Sequence, residues 1–137
     1  MSSFRTLLIL GTSLSVFACT GGEDGGHRQI PPRGEVTVNG IEFEYFVEGS
    51  GIPCMVIGDV LTPSRALSAD LRETFQFIFL NSRMTTPEEF VGDVSTVTMD
   101  TLTSDIEGAR QALGLGQVCV MGHSISGVLA LEYGRRY

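Results

Sequence analysis

Residues Gly122-His123-Ser124-Ile125-Ser126-Gly127 separate a short apolar run, Val118 to Met121, from a helix-patterned stretch, Ile125 to about Arg136. A strand that turns into a helix this abruptly needs small residues at fixed places. A glycine two before the serine lets the backbone pass close to its neighbours, and small residues after it admit the helix. The serine hydroxyl is then left exposed at the carboxyl edge of a sheet. A strand ending in this way must lie in a sheet with helices packed on it, so the rest of the chain should read as alternating strands and helices.

It does. Glu35 to Val38 and Ile41 to Val47 flank Asn39-Gly40, a two-residue turn that favours a type I′ hairpin. Ile41, Phe43, Tyr45 and Val47 alternate with Glu42, Glu44 and Phe46, which predicts one buried face. After Gly49-Ser50-Gly51, Cys54 to Ile57 is apolar without alternation, as suits a strand covered on both faces. Thr62-Pro63 reads as N-cap and first position of a helix running to about Thr74, with Leu67 and Leu71 on one face. Phe75 to Leu80 is a second buried strand, and a polar loop through Pro87 and Gly92 follows it. Leu102, Ile106, Ala109 and Leu113 then recur at helical spacing from about Met99, with Gly114 as the stop. A hairpin feeding strand–helix–strand units predicts an α/β fold, an open and largely parallel sheet with helices on both faces.

Within that frame Ser124 is the candidate nucleophile. The helix after it turns its first N–H groups toward the site, which favours developing negative charge, and Ile125 would donate one oxyanion N–H. The G-x-S-x-G pattern has Ser126 in its fifth place, with glycine one later at Gly127, and serine is small enough for the turn. A phosphate-binding loop or an ordinary strand-to-helix turn is the alternative, but G-x-G-x-x-G and a Walker lysine are both absent. No metal or organic cofactor is implied.

Gly49-Ser50-Gly51-Ile52-Pro53, the strand after it, Asn81-Ser82-Arg83, Leu113-Gly114-Leu115 and Gly122-His123-Ser124 occur in the order seen in α/β-hydrolase fold proteins. The chain resembles their proline iminopeptidase and esterase-like branch over roughly Glu35 to Tyr137, the N-terminal half of the fold. The resemblance implies a serine hydrolase acting on a small acyl substrate through an acyl-serine intermediate. It places the second oxyanion N–H at Val60, after Gly58-Asp59 where the family carries His-Gly. The family's Asp-x-Arg appears as Asn81-Ser82-Arg83, keeping the arginine and losing the acid. The triad acid and histidine follow the serine in this fold. Here Asp59, Asp93, Asp100 and Asp105 all precede it, and Asp105 is expected on a helix face. His123 is not placed to take the serine's proton, and His27 lies far upstream. The expectation is an incomplete hydrolase domain, inactive alone, with the edge of the serine's strand left unpaired. The rival readings are a non-catalytic binding lipoprotein on the same scaffold and an inactive fragment.

The first residues read as a targeting segment. Arg5 gives a positive start, Thr6 to Phe17 is a short apolar core, and Val16-Phe17-Ala18 offers small or apolar residues before a cut. The apolar core is shorter than the about 20 residues that span a bilayer. Val16-Phe17-Ala18-Cys19 resembles the lipobox of bacterial lipoproteins, which implies a diacylglycerol on Cys19 and an exported, membrane-anchored protein; an ordinary secretory peptide cut at the same place is the alternative. Residues 1–18 are thus expected as signal peptide, 19–34 as a Gly- and Pro-rich tether containing His27, and 35–137 as the domain. Of the remaining cysteines, Cys54 and Cys119 lie in apolar runs and read as buried free thiols, since bridging adjacent central strands strains a disulfide. The net charge of −7, with no basic face, argues against a nucleic-acid partner.

Overall fold

The computed structural model describes the backbone of residues 8–10, 15–19, 30–58, 66–86 and 93–137, and, of these, the side chains from residue 30 onward except that of Val94. Seven strands form one sheet: β1 (Leu8–Leu10), β2 (Ser15–Cys19), β3 (Arg33–Val38), β4 (Ile41–Gly49), β5 (Ile52–Ile57), β6 (Phe75–Leu80) and β7 (Cys119–His123), in spatial order β1-β2-β7-β5-β6-β4-β3. Among the described residues three α-helices accompany them: α1 (Ala69–Thr74), α2 (Met99–Ala112) and α3 (Ile125–Arg136).

The hairpin forms as its turn residues require. Asn39 and Gly40 both take positive φ, 52° and 77°, the type I′ geometry that matches strand twist. β3 and β4 pair antiparallel from Val38↔Ile41, and Ile41, Phe43 and Tyr45 are buried while Glu42 and Glu44 face solvent. β4 joins β6 antiparallel, and β6, β5 and β7 run parallel to one another. On one face α2 and α3 cover a core containing Phe43, Met55, Ile78, Leu102, Ile106, Leu129 and Tyr133. On the other, Leu67 and Leu71 cover Val56, Phe77 and Phe79, with Phe46 stacked on Phe79 at 4.4 Å between ring centroids. Each fully buried large side chain of this kind contributes about 1.5–3 kcal/mol.

The caps explain where the helices stop and start. The Thr98 side chain accepts from Thr101 N–H and the Thr101 hydroxyl takes the Thr98 N–H, a reciprocal box that opens α2. At its other end Gly114, φ 67°, donates to the Gln111 carbonyl and Leu115 donates to that of Arg110, a Schellman motif.

Four expectations are corrected. A single helix from Thr62 to Thr74 does not form: Ser68 is extended (φ −71°, ψ 162°), and its hydroxyl accepts from Leu71 N–H to start α1 anew. Thr62-Pro63 lie outside the described residues. The packed domain takes in the end of the tether, because Ile30 is buried, the Pro32 carbonyl accepts from Val47, and β3 begins at Arg33. The edge of β7 is not unpaired: β2 runs antiparallel along it from Ser15↔His123 to Cys19↔Cys119, satisfying the outward N–H and C=O groups that an edge strand otherwise presents. Cys119 is disulfide-bonded rather than a thiol. Cys54, its register partner on β5, is free, and burial pushes that thiol up to about 12.

Candidate active site

β5 is central among the three parallel strands; the chain leaves it first for β6 on one side and then crosses back to β7 on the other. The carboxyl ends of β5 and β7 therefore meet at a topological switch point, where open α/β sheets bind ligands. Ile57 pairs with Gly122 there, which brings Gly58 beside the turn that carries Ser124.

Ser124 is exposed between β7 and α3, with φ 56° and ψ −124°. Among the described residues, it and Asn39 are the non-glycines at positive φ. Asn39 is a turn residue suited to that region, whereas a serine there is held by its surroundings. Gly127 N–H donates to the Ser124 carbonyl at 3.0 Å and closes the turn. A Cβ on Gly122 would stand 1.9 Å from the Ser126 carbonyl oxygen, so the strand and the helix touch backbone to backbone, as the sequence spacing required.

Ser124 is also the N-cap of α3, yet its side chain makes no capping hydrogen bond. Ser68 and Thr98 do cap their helices, which is the ordinary use of such residues. The Ser124 hydroxyl is therefore not spent on the helix. Ile125 follows as the first helical residue, and the N–H groups of a first turn have no acceptor within their own helix. These groups and the hydroxyl share one end of α3, the arrangement an oxyanion site needs.

The other expected residues fall as follows. Asp59 and Val60, and with Val60 the second oxyanion donor, lie outside the described residues, as does His27. Cys19 ends β2, described by its backbone alone. His123 is exposed at the last position of β7, immediately before Ser124. Among the described residues no group of three or more His, Cys, Asp or Glu side chains could hold a metal ion.

Sequence reasoning missed two polar networks behind the site. Arg83, just past β6, donates from Nε to Asp105 Oδ2 and from Nη2 to Oδ1 at 3.1 Å, while Asn39 Nδ2 donates to Oδ1 at 2.9 Å. The arginine kept at Arg83 thus pairs with an acid from α2. The pair is nearly dry, with the two side chains 9% and 6% exposed, and the hydrogen bond to Asp105 raises the Arg83 pKa. Asp105 lies on a helix face, as expected, and that face is the buried one. Its place three after Leu102 and four before Ala109 puts it on the buried stripe, the signal that would have found it. In the second network, Glu107 accepts from Arg110 at 2.6 and 2.9 Å, Gln111 at 2.7 Å and the buried Tyr133 hydroxyl at 2.7 Å, tying α2 to α3. Hydrogen bonding from Arg110 holds Glu107 down at about 2.

No family model matches the chain. The AB hydrolase superfamily protein YclE of Bacillus subtilis (strain 168) is 32% identical over 99 residues, which is 72% of this chain and 35% of that protein. Among solved structures, an alpha/beta fold family hydrolase from Bacillus anthracis str. Sterne matches with a TM-score of 0.58 at 24% identity, over 74% of this chain and 37% of the other. An epoxide hydrolase from Vigna radiata matches with a TM-score of 0.54 at 21% identity, over 74% and 34%. The chain thus spans about a third of the length of the curated relative it matches. The structural likenesses show the fold: it is that of the α/β-hydrolases, in its N-terminal half.

Proposed function

On the premise of an α/β-hydrolase fold, which a superfamily relative supports, we infer that the chain carries the nucleophile of a serine hydrolase. The reaction class is cleavage of an ester, amide or related acyl bond. The supporting observation is Ser124 itself, an exposed N-cap serine at positive φ whose hydroxyl does not cap its helix. Holding a residue in such a region costs on the order of 1–3 kcal/mol, and that strain clusters where chemistry needs it.

In this reading Ser124 Oγ bonds to the acyl carbon and its proton passes to a base. The carbonyl π pair moves onto oxygen, where Ile125 N–H and the end of α3 stabilise it. Expulsion of the leaving group, protonated by that base, gives the acyl-serine, which water then hydrolyses. Val60 N–H is the second donor by resemblance. In this fold the base and its acid partner come from chain that follows the nucleophile, so neither His27 nor His123, which both precede Ser124, is assigned that role.

A fluorophosphonate probe on the full-length protein tests this. Ser124 should be the labelled residue, and Ser124→Ala should abolish labelling while leaving the unfolding temperature within a few degrees. Labelling that survives Ser124→Ala sinks the reading.

We further propose that in the mature protein Cys19 is the lipid-bearing first residue, anchored to a membrane through acyl chains, each buried methylene adding about 0.8 kcal/mol; its sulfur is then a thioether, and Cys119, disulfide-bonded in this structure, is a free thiol in that form. Among the described residues no helix is long and apolar enough to cross a membrane. Cleavage before Cys19 would take Ser15 to Ala18 off β7 and leave that edge for a further strand of the hydrolase sheet. Intact mass of the membrane fraction should show a diacylglyceryl addition that Cys19→Ser removes. An unmodified N-terminus, or Cys19 found in a disulfide instead of a thioether, would refute it.

A further inference from the structure

We infer that Ser126 is a positioning residue for Ser124, seating the elbow against the end of β5 through its hydroxyl; the inference rests on the serine-hydrolase reading above. Ser126 is 7% exposed and touches both walls of the switch point. Its backbone carbonyl lies over Gly122 of β7, with O and C at 1.9 and 2.3 Å from where a Cβ would stand. Its side chain lies over Gly58, with Oγ at 2.6 Å and Cβ at 3.4 Å from the corresponding position. Gly58 is itself fixed, because its N–H donates to the Leu80 carbonyl at the end of β6. Ser126 therefore references the elbow to β7 through its backbone carbonyl and to Gly58, at the end of β5 and bonded to the end of β6, through its hydroxyl.

This matters because nothing in the Ser124 side chain holds its own backbone at φ 56°. The turn is closed by the bond from Gly127 N–H to the Ser124 carbonyl, and Ser126 sits inside that turn. If Ser126 rocks, Ser124 Oγ and the Ile125 N–H move with it. The serine in the fifth place of the motif is thus more than a tolerated small residue. It is matched to Gly58, whose missing side chain leaves room for this hydroxyl. Removing the hydroxyl leaves a gap of about one atom, and adding bulk on either side makes a collision.

The test measures phosphonylation rate and unfolding temperature on the full-length protein. Ser126→Ala should slow labelling of Ser124 between about 10- and 100-fold, as small misplacements of reacting groups do, with the unfolding temperature within a few degrees. Gly58→Ala should lower the unfolding temperature, both from its φ of 115° and from contact with Ser126. Adding Ser126→Gly should restore at least about 2–4 °C of that loss, a non-additivity expected of residues in contact. An unchanged labelling rate in Ser126→Ala, with labelling still abolished by Ser124→Ala, overturns the inference and leaves the hydrolase reading standing. Labelling that ignores Ser124→Ala overturns the hydrolase reading and this inference with it. If Ser126→Ala loses rate and stability together, the Gly58–Ser126 cycle decides: non-additive temperatures support the contact, and additive ones overturn it.

Discussion

Asp105→Ala is expected to destabilise the fold by about 3–5 kcal/mol, the cost of leaving a buried charge without its partner. Arg83 is the group abandoned. Its side chain is 9% exposed, donates twice to the Asp105 carboxylate, and lines a small cavity together with Phe43, Leu80, Leu102 and Ile106. Asn39 loses an acceptor too, but it is exposed and hydrates instead. Against a total stability of about 5–15 kcal/mol the loss is large. Urea unfolding should show the midpoint falling. The double substitution Arg83→Met with Asp105→Leu should recover most of the loss, since apolar replacement of a buried pair is often neutral. A midpoint within experimental error of the parent for Asp105→Ala would mean that the pair is solvated in solution.

That ion pair also marks where the sequence stopped being readable. Hairpin, strands and the second and third helices follow from patterns with one physical solution: Asn39-Gly40 admits one turn type, and Phe75 to Leu80 one environment. The helix end at Gly114 was legible because a left-handed cap needs glycine. Asp105 was placed on a helix, as the structure has it, but its burial was not read, although its position on the Leu102–Ala109 stripe encodes it. The start of α1 was misplaced because Thr62-Pro63 and Ser68 are both good N-caps, and tertiary contacts of Leu67 and Leu71 arbitrate between such signals. Pairing of β2 with β7 depends on which extended segment reaches an edge, and edge strands accept many partners.

The site divides in the same way. The turn that carries Ser124 was legible because an elbow constrains three residue types within six positions. Ser126 was recognised as small, but its fit to Gly58 joins residues 68 positions apart and no local pattern encodes it. Cys119 shows a similar limit. Adjacent central strands argued for thiols, and the Cys54–Cys119 pair does stay unbonded, yet the strand on the other side of β7 brings Cys19 opposite Cys119.

Gly122→Ala is expected to exceed every other single change at the elbow. The new Cβ would meet the Ser126 carbonyl oxygen at 1.9 Å, its carbon at 2.3 Å and the Gly127 nitrogen at 2.7 Å. All three are backbone atoms, so no side-chain rotation relieves the contact. The first turn of α3 has to lift from β7, but Leu129, Ala130 and Tyr133 hold that helix in the core, each at most 1% exposed. A loss beyond about 4 kcal/mol, reserved for changes that disrupt packing or backbone, is the expected outcome. Fluorophosphonate labelling of Ser124 should disappear with it, because the positive φ that exposes the hydroxyl depends on the same contact. Gly116→Ala is the control: nothing lies within 4 Å of its Cβ position, and its effect should stay within about 0.5 kcal/mol. Unfolding curves for the two variants, with labelling measured on the same samples, make the comparison. A Gly122→Ala protein that unfolds like the Gly116→Ala control and labels at the parent rate would mean that strand and helix do not meet at this glycine.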